Sequence, residues 1–297
     1  QRQGRAGRVR PGRCYRLYSS AQFDSLLVNE VPEMKRAPLH ALVLQILAMG
    51  IRDPFGFLAQ AVEPPSSVAV AKVLRELNAL NIVEGCASIT ERNYKDFSLE
   101  ERSILTPLGI SASALPVHPR IARIILLGAA MGCLDPILTI AACLSVGELF
   151  TSPIGASNSV LRAKRELAGS SHSDFVCILN AYTRWTDVVA TGTRRDEQRF
   201  LQSHYLSHSA LEEAKKLKRK LYESLVSGTT YDIKSDKGLN EHSDNIEAVL
   251  LCIAGGLYPQ FVVSDKCDSK GGLWELKAGD KRLVVHPTSV LSHMKVN

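Results

Sequence analysis

Apolar residues recur along this chain mostly at helical spacing. Leu39, Leu42, Val43, Ile46 and Leu47 stand at i, i+3, i+4, i+7 and i+8, and Val70, Val73, Leu74, Leu77 and Leu80 share one face of the run from Val68 to Leu80. Each pattern predicts an amphipathic helix of ordinary length. Pro64-Pro65-Ser66-Ser67 punctuates the chain between them and offers a serine N-cap before Val68. Ile82-Val83-Glu84 and Ile104-Leu105-Thr106 flank a polar stretch and predict a small hairpin, so that helices and a two-stranded wing together suggest a winged-helix arrangement. From Pro119 to about Leu225 the pattern is almost wholly helical. Residues 124–146 are apolar on nearly all sides, which predicts a buried helical hairpin inside a bundle, turned at Asp135-Pro136 where Pro halts one helix and starts the next. A Ser/Gly-rich break at Gly155–Ser159 precedes helices expected near 174–186 and 194–226. Gly228 to Asn245 reads as a linker. One short helix, Asn245–Ala254, is followed by strand-like Gln260–Val263 and Lys281–Val285, a pattern that suggests a small β-barrel. At the opposite end Cys14-Tyr15-Arg16-Leu17-Tyr18 alternates, a strand signal.

Composition narrows the classes. At 297 residues, 45% apolar and 22% charged, the chain is neither disordered nor fibrous and holds about two ordinary domains. The net charge of +6 comes wholly from the first sixteen residues, which carry six Arg and no acid; the rest is balanced. A global polyelectrolyte is thereby excluded, while a local site for phosphate is not. Cysteines 14, 86, 133, 143, 177, 252 and 267 form no Cys-x-x-Cys pair, which suggests a reduced, intracellular chain, and Cys133, Cys143, Cys177 and Cys252 lie in apolar runs as small hydrophobes. The longest apolar run, Ile124 to Leu134, is too short for a membrane span. Residue 1 is Gln and no signal peptide follows, so the sequence reads as a piece of something longer.

The candidate chemistry is concentrated at the start, where Gln1, Arg2, Arg5 and Arg8 are set among glycines. Guanidinium forks supply fixed donors to phosphate oxygens and a nearby Gln can orient an attacking water, as phosphoryl transfer requires. A generic Arg/Gly-rich tail or a nucleic-acid contact patch fits the same spacing. A second basic cluster, Lys215, Lys216, Lys218, Arg219 and Lys220, shares a predicted helix with Glu212 and Glu213. It reads either as a solvated face self-paired through Glu212 and Lys216 or as a stripe for an RNA backbone. Tyr182 and Trp185 could stack on bases but stand at core spacing. His204 and His208 are four apart without a third zinc ligand, and Asp135 has no acidic partner for acid–base chemistry.

Gln1-Arg2-Gln3-Gly4-Arg5-Ala6-Gly7-Arg8 resembles the last helicase motif of superfamily 2 enzymes, and Val9 to Tyr18 continues it as in the DEAH-box/RNA helicase A family. Arg36-Ala37-Pro38-Leu39, Leu105-Thr106-Pro107-Leu108-Gly109, Gly132-Cys133-Leu134-Asp135-Pro136, Ser173-Asp174-Phe175, Leu179-Asn180-Ala181-Tyr182, Gly256-Leu257-Tyr258-Pro259 and His286-Pro287-Thr288-Ser289-Val290 follow in the family's order. The resemblance implies a mainly α chain with the end of a RecA-like domain at 1–20, a winged helix at 21–112, a helical ratchet bundle at 113–228 and an incomplete OB-type β-barrel at 229–297. It implies an ATP-dependent RNA helicase moving 3′ to 5′ on single strands. Gln1 would position the hydrolytic water, Arg5 and Arg8 would act as arginine fingers on the nucleotide phosphates, and Arg2 would bind those phosphates or brace the same loop. ATP and Mg²⁺ are the implied cofactors, single-stranded or structured RNA the partner, and a protein activator would dock on the barrel. RNA contacts are expected at Lys215, Lys216, Arg219, His286 and Ser289, with Thr288 standing where the family usually has Ser. The expected compartment is the cytoplasm or nucleus, the mitochondrion remaining open. Neither a Gly-x-x-x-x-Gly-Lys-Ser/Thr loop nor an Asp-Glu-Ala-His run occurs here, so these residues alone are expected to be inert toward ATP. The rival reading is a non-catalytic RNA-binding or scaffold protein built from the same accessory domains.

Overall fold

The structure, a computed structural model, describes residues 3–26, 31–86, 89, 105–228, 237–260, 262–267, 274–278 and 281–292. It is mainly helical. A 3-10 turn, Gln3–Arg5, and α1 (Ser20–Asp24) open the chain, followed by α2 (Glu33–Arg36), α3 (His40–Ala48), α4 (Pro54–Ala59), α5 (Ser67–Ala79) and α6 (Pro107–Ser113). The bundle consists of α7 (Pro119–Ala130), α8 (Leu134–Ser145), α9 (Ser157–Ala168), α10 (Asp174–Thr191), α11 (Arg194–Ser203) and α12 (His208–Gly228). Last come α13 (Ile246–Leu257) and three strands, β1 (Val263–Cys267), β2 (Trp274–Ala278) and β3 (Lys281–Leu283), in an antiparallel sheet of order β1-β2-β3. One continuous apolar core runs from Leu39 to Val290.

Capping chemistry sets the helices that precede the bundle. The Ser66 hydroxyl accepts from the Ala69 N–H at the start of α5, whose Val70, Val73, Leu74 and Leu77 are buried against Val43, Leu44, Ile46 and Leu47 of α3. Of the hairpin expected between 82–84 and 104–106, one antiparallel bridge joins Val83 to Leu105, and the Thr106 N–H donates to the Ile82 carbonyl at 3.1 Å; Ile104 and most of the intervening stretch lie outside the described residues. Thr106 also caps α6 by accepting from Gly109, which lies so close to the Ile82 carbonyl that a Cβ would collide with it.

In the bundle the turn between α7 and α8 falls where Asp135-Pro136 predicts it, with both residues in the first turn of α8. Gly132 takes φ +67° there and its carbonyl accepts from the His242 N–H, so the corner is braced by the chain that follows α12. Gly128 lets α7 meet α8 closely, since a Cβ there would lie 2.8 Å from Ile137. Trp185 is completely buried and Tyr182 nearly so, which settles that pair as core; the Trp185 indole N–H donates to Glu197 at 3.0 Å.

Four expectations change. The alternating stretch Cys14–Tyr18 forms no strand: Tyr15 and Leu17 are 81% and 100% exposed, and no described strand lies beside them to complete a ladder. The single helix expected over 194–226 is two, because Tyr205 adopts φ +56° and Leu206 bridges Phe150 while the Thr151 N–H donates to the Tyr205 carbonyl. The Ser/Gly-rich break runs directly into α9, whose Val160, Ala163 and Leu167 are buried. The first terminal strand starts at Val263 rather than Gln260, and β2 lies where no strand is expected. The described strands make an open meander, and a closed barrel does not lie among the described residues. No described helix is long and apolar enough to cross a membrane.

Candidate nucleotide and nucleic-acid interface

Of the four candidate phosphate-site residues, Gln1 and Arg2 lie outside the described residues, while Arg5 closes the 3-10 turn and Arg8 follows it, both exposed. Among the described residues neither guanidinium has a hydrogen-bond or ion-pair partner, whereas Arg16 is engaged: it donates to the Gln3 side chain at 2.8 Å and stacks 3.7 Å over the Phe23 ring. Gly12 meets the Ala6 carbonyl so closely that a Cβ would clash, which closes the intervening loop on itself. Among the described residues, the hydrogen bonds and ring contacts of 3–26 stay within that segment, which adds nothing to the core. Two cations on a tightened loop with no internal partner can accept an external anion.

The second basic cluster falls on α12, whose Leu211, Ala214, Leu221 and Leu225 are buried. Helical spacing places Lys215, Arg219 and Tyr222 along one flank of that buried face, beside a cleft of about 670 Å³ whose floor is Leu138 and Tyr182 and whose rim includes Asp135, Glu212, Lys215, Lys216, Lys218, Arg219 and Tyr222. Lys218 belongs to the structure rather than to solvent. Its Nζ lies 2.7 Å from Asp135 and 5.6 Å from the centre of the Tyr182 ring, an anchor that gives Asp135 a structural partner and no catalytic one. Burial, with Cys143, Asp135 and Glu212 nearby, pushes the Tyr182 hydroxyl up to about 12, so it stays neutral. The expected Glu212–Lys216 pair does not form; instead Arg219 meets Glu223 at 3.5 Å, an exposed pair of small energetic weight. Lys215 is 5.7 Å from the Trp185 ring, and Lys216 is exposed without a partner among the described residues. The cleft therefore presents more cation than anion.

His286 and Ser289 lie on the segment that returns from the sheet to the bundle. The Ser289 hydroxyl donates to Asp174 Oδ2 at 2.6 Å and the Val290 N–H to Oδ1 at 3.0 Å. Lys164 donates to the Thr288 carbonyl, and Arg165 to the carbonyls of Val290 and Ser292. Ser289 thus acts as a strut, while His286 is exposed at the mouth of a small cavity of about 280 Å³ with Lys164 and Thr288.

A further polar centre joins three parts of the chain. Glu76 of α5 accepts from His40 at 2.6 Å and lies 3.7 Å from Arg120 of α7, whose other nitrogen donates to Gln260 beyond α13; Arg123 donates to the Tyr258 carbonyl. Burial raises the Glu76 carboxyl, but the His40 hydrogen bond and the charges of His40, Arg120 and Lys72 outweigh it and hold the group below its usual value. His118, which caps α7 through Nδ1, is pushed down to about 4 by burial and by His40 and Arg120. Sequence reading missed this centre, because its members are far apart in sequence and each is unremarkable alone. Tyr222 was missed as well, although its offset of seven from Lys215 placed it on the basic face.

His204 stacks on Phe200 and His208 meets Glu197, and no metal-binding cluster occurs among the described residues. Cys133, Cys143, Cys177 and Cys252 are buried free thiols, and burial pushes Cys143 and Cys177 up to about 12.

Residues 118–224 match the family model described as "Helicase associated domain (HA2), ratchet-like". The human "ATP-dependent DNA/RNA helicase DHX36" is 35% identical over 262 residues, 88% of this chain and 24% of that protein. "DExH-box ATP-dependent RNA helicase DExH1" of Arabidopsis thaliana is 32% identical, with 98% of this chain and 27% of that protein covered. "ATP-dependent RNA helicase DHX29" of Mus musculus is 32% identical, with 98% and 21% covered. The chain spans about a quarter of the length of these relatives. The helical bundle lies over the residues that match the ratchet-like family model, and the chain belongs to the DEAH-box/RNA helicase A family and holds its helicase-associated region.

Proposed function

We propose that the whole protein is an ATP-dependent RNA helicase that couples hydrolysis to 3′-to-5′ movement on single-stranded RNA and to duplex unwinding. In this reading residues 1–20 end the second RecA-like domain, 21–112 form the winged helix, 113–228 the ratchet and 229–297 an OB-type barrel on which a protein activator docks. Gln1 positions water, Arg2, Arg5 and Arg8 take the nucleotide's phosphates, and Lys215, Lys216, Arg219 and His286 line the RNA path, with Ser289, tied to Asp174, holding the His286 segment in place. The observation that carries the reading is the pair Arg5 and Arg8, exposed on a closed loop without a partner among the described residues. Such cations are stable in solvent and gain most from a polyphosphate presented by another lobe.

ATP and Mg²⁺ would be held mainly by residues absent from this sequence, since it has no Gly-x-x-x-x-Gly-Lys-Ser/Thr loop. What this chain supplies is guanidinium charge toward the nucleotide's phosphates, where it would stabilise the charge on the γ-phosphoryl oxygens and the charge that develops on the leaving oxygen as its bond breaks. The buried free thiols fit a reducing, intracellular setting. Two assays on the purified chain test the division of labour. It should bind single-stranded RNA with an affinity that falls as salt rises, and should hydrolyse no ATP. Hydrolysis by the chain itself, or binding indifferent to salt, would contradict the reading.

A further inference from the structure

We propose that the cleft beside α12 is a single-strand subsite, in which Tyr222 stacks on an unpaired base while Lys215, Lys216 and Arg219 hold the adjoining phosphates. The inference deepens the RNA reading above and rests on it. Its first support is the kind of side chain exposed. Tyr222 is 39% exposed and has no ring partner among the described residues, although it sits above a floor of Leu138 and Tyr182. An exposed aromatic beside an apolar floor is costly in water and useful where a flat, apolar face must be received.

The charge distribution is the second support. Lys218 is already neutralised by Asp135 at 2.7 Å and fixes the wall of the cleft, whereas Lys215 and Lys216 carry no ion pair among the described residues. Among the described residues Arg219 has only the exposed contact with Glu223, which a phosphate can displace at small cost. Lys215, Arg219 and Tyr222 share one helical face at offsets of four and seven, Lys216 lines the cleft beside them, and the volume of about 670 Å³ lies in the range of sites that enclose small ligands. A duplex keeps its base faces stacked inside and cannot offer one to Tyr222; a single strand can. An acidic protein segment would satisfy the cations but would leave the ring without a planar partner.

The test uses the purified chain, an oligouridine of about twelve nucleotides and a blunt RNA duplex of equal length, with polyglutamate as competitor. Tyr222→Ala should weaken oligouridine binding roughly 5- to 100-fold, Tyr222→Phe should leave it intact, and the duplex should bind more weakly. Lys215→Ala and Arg219→Ala should each flatten the dependence of log K on log salt by about 0.7. Because these side chains are exposed, the melting temperature of each variant should match that of the parent chain. Wild-type affinity in Tyr222→Ala overturns the stacking claim, and wild-type affinity and salt slope in all three alanine variants overturn the site while the RNA reading survives. Equal competition by polyglutamate assigns the cleft to an acidic protein and overturns the proposal. A chain that binds neither RNA overturns both the proposal and the reading beneath it.

Discussion

Acidification should destabilise this chain through His118 before its carboxylates begin to titrate. The ring caps α7, its Nδ1 accepting from the Arg120 N–H at 3.3 Å, and packs against His40 with ring centres 4.7 Å apart. Burial and the facing groups His40 and Arg120 depress its pKa from 6.5 to about 4, with only Glu76 acting in the opposite sense. In the unfolded chain His118 takes up its proton near pH 6.5, and in the folded chain only near 4. The unfolded state therefore binds more protons in between; the His118 contribution is complete above 6.5 and is lost as pH falls toward 4. At face value the depression corresponds to about 3 kcal/mol. The ring is only half-buried, so solvent screening brings the loss between pH 7 and pH 5 to about 1 kcal/mol. Urea unfolding at the two pH values should show that loss in the parent chain and lack it in His118→Asn, which keeps a capping side chain but cannot titrate. An equal pH dependence in the two proteins would refute the reasoning, and with it the assignment of His118 as a neutral cap.

Two further outcomes follow from packing and from the C-terminal strut. Gly128→Val should lower stability by about 1–3 kcal/mol in thermal or urea unfolding, because even a Cβ would stand 2.8 Å from Ile137 and the α7–α8 contact would have to part. Asp174→Ala removes the acceptor of both the Ser289 hydroxyl and the Val290 N–H, costs about 1–3 kcal/mol, and should speed amide exchange at Val290 while leaving α5 unchanged.

Where one element carried its own periodicity, the sequence was readable. The faces of α3 and α5, the Ser66 cap and the Asp135-Pro136 corner all depend on residues within a turn or two of one another. Long-range pairing was less legible. The break at Tyr205 depends on Leu149, Phe150 and Thr151 reaching across from another segment, and the Cys14–Tyr18 alternation has no described partner strand. At the candidate sites, charge and spacing identified Arg5, Arg8 and the α12 cluster but not their pairing. Lys218 is drawn to Asp135, which is distant in sequence, in preference to an acid on its own helix, and Ser289 is occupied by Asp174. The network of His40, Glu76, Arg120 and Gln260 exists only once three parts of the chain have packed.

The arginine assignment is tested most directly by RNA-stimulated ATP hydrolysis in the whole protein, comparing wild type with Arg5→Ala and Arg8→Ala. The account predicts that each substitution lowers the rate by roughly three to five orders of magnitude while RNA binding persists. Hydrolysis at the wild-type, RNA-stimulated rate in both variants would contradict it.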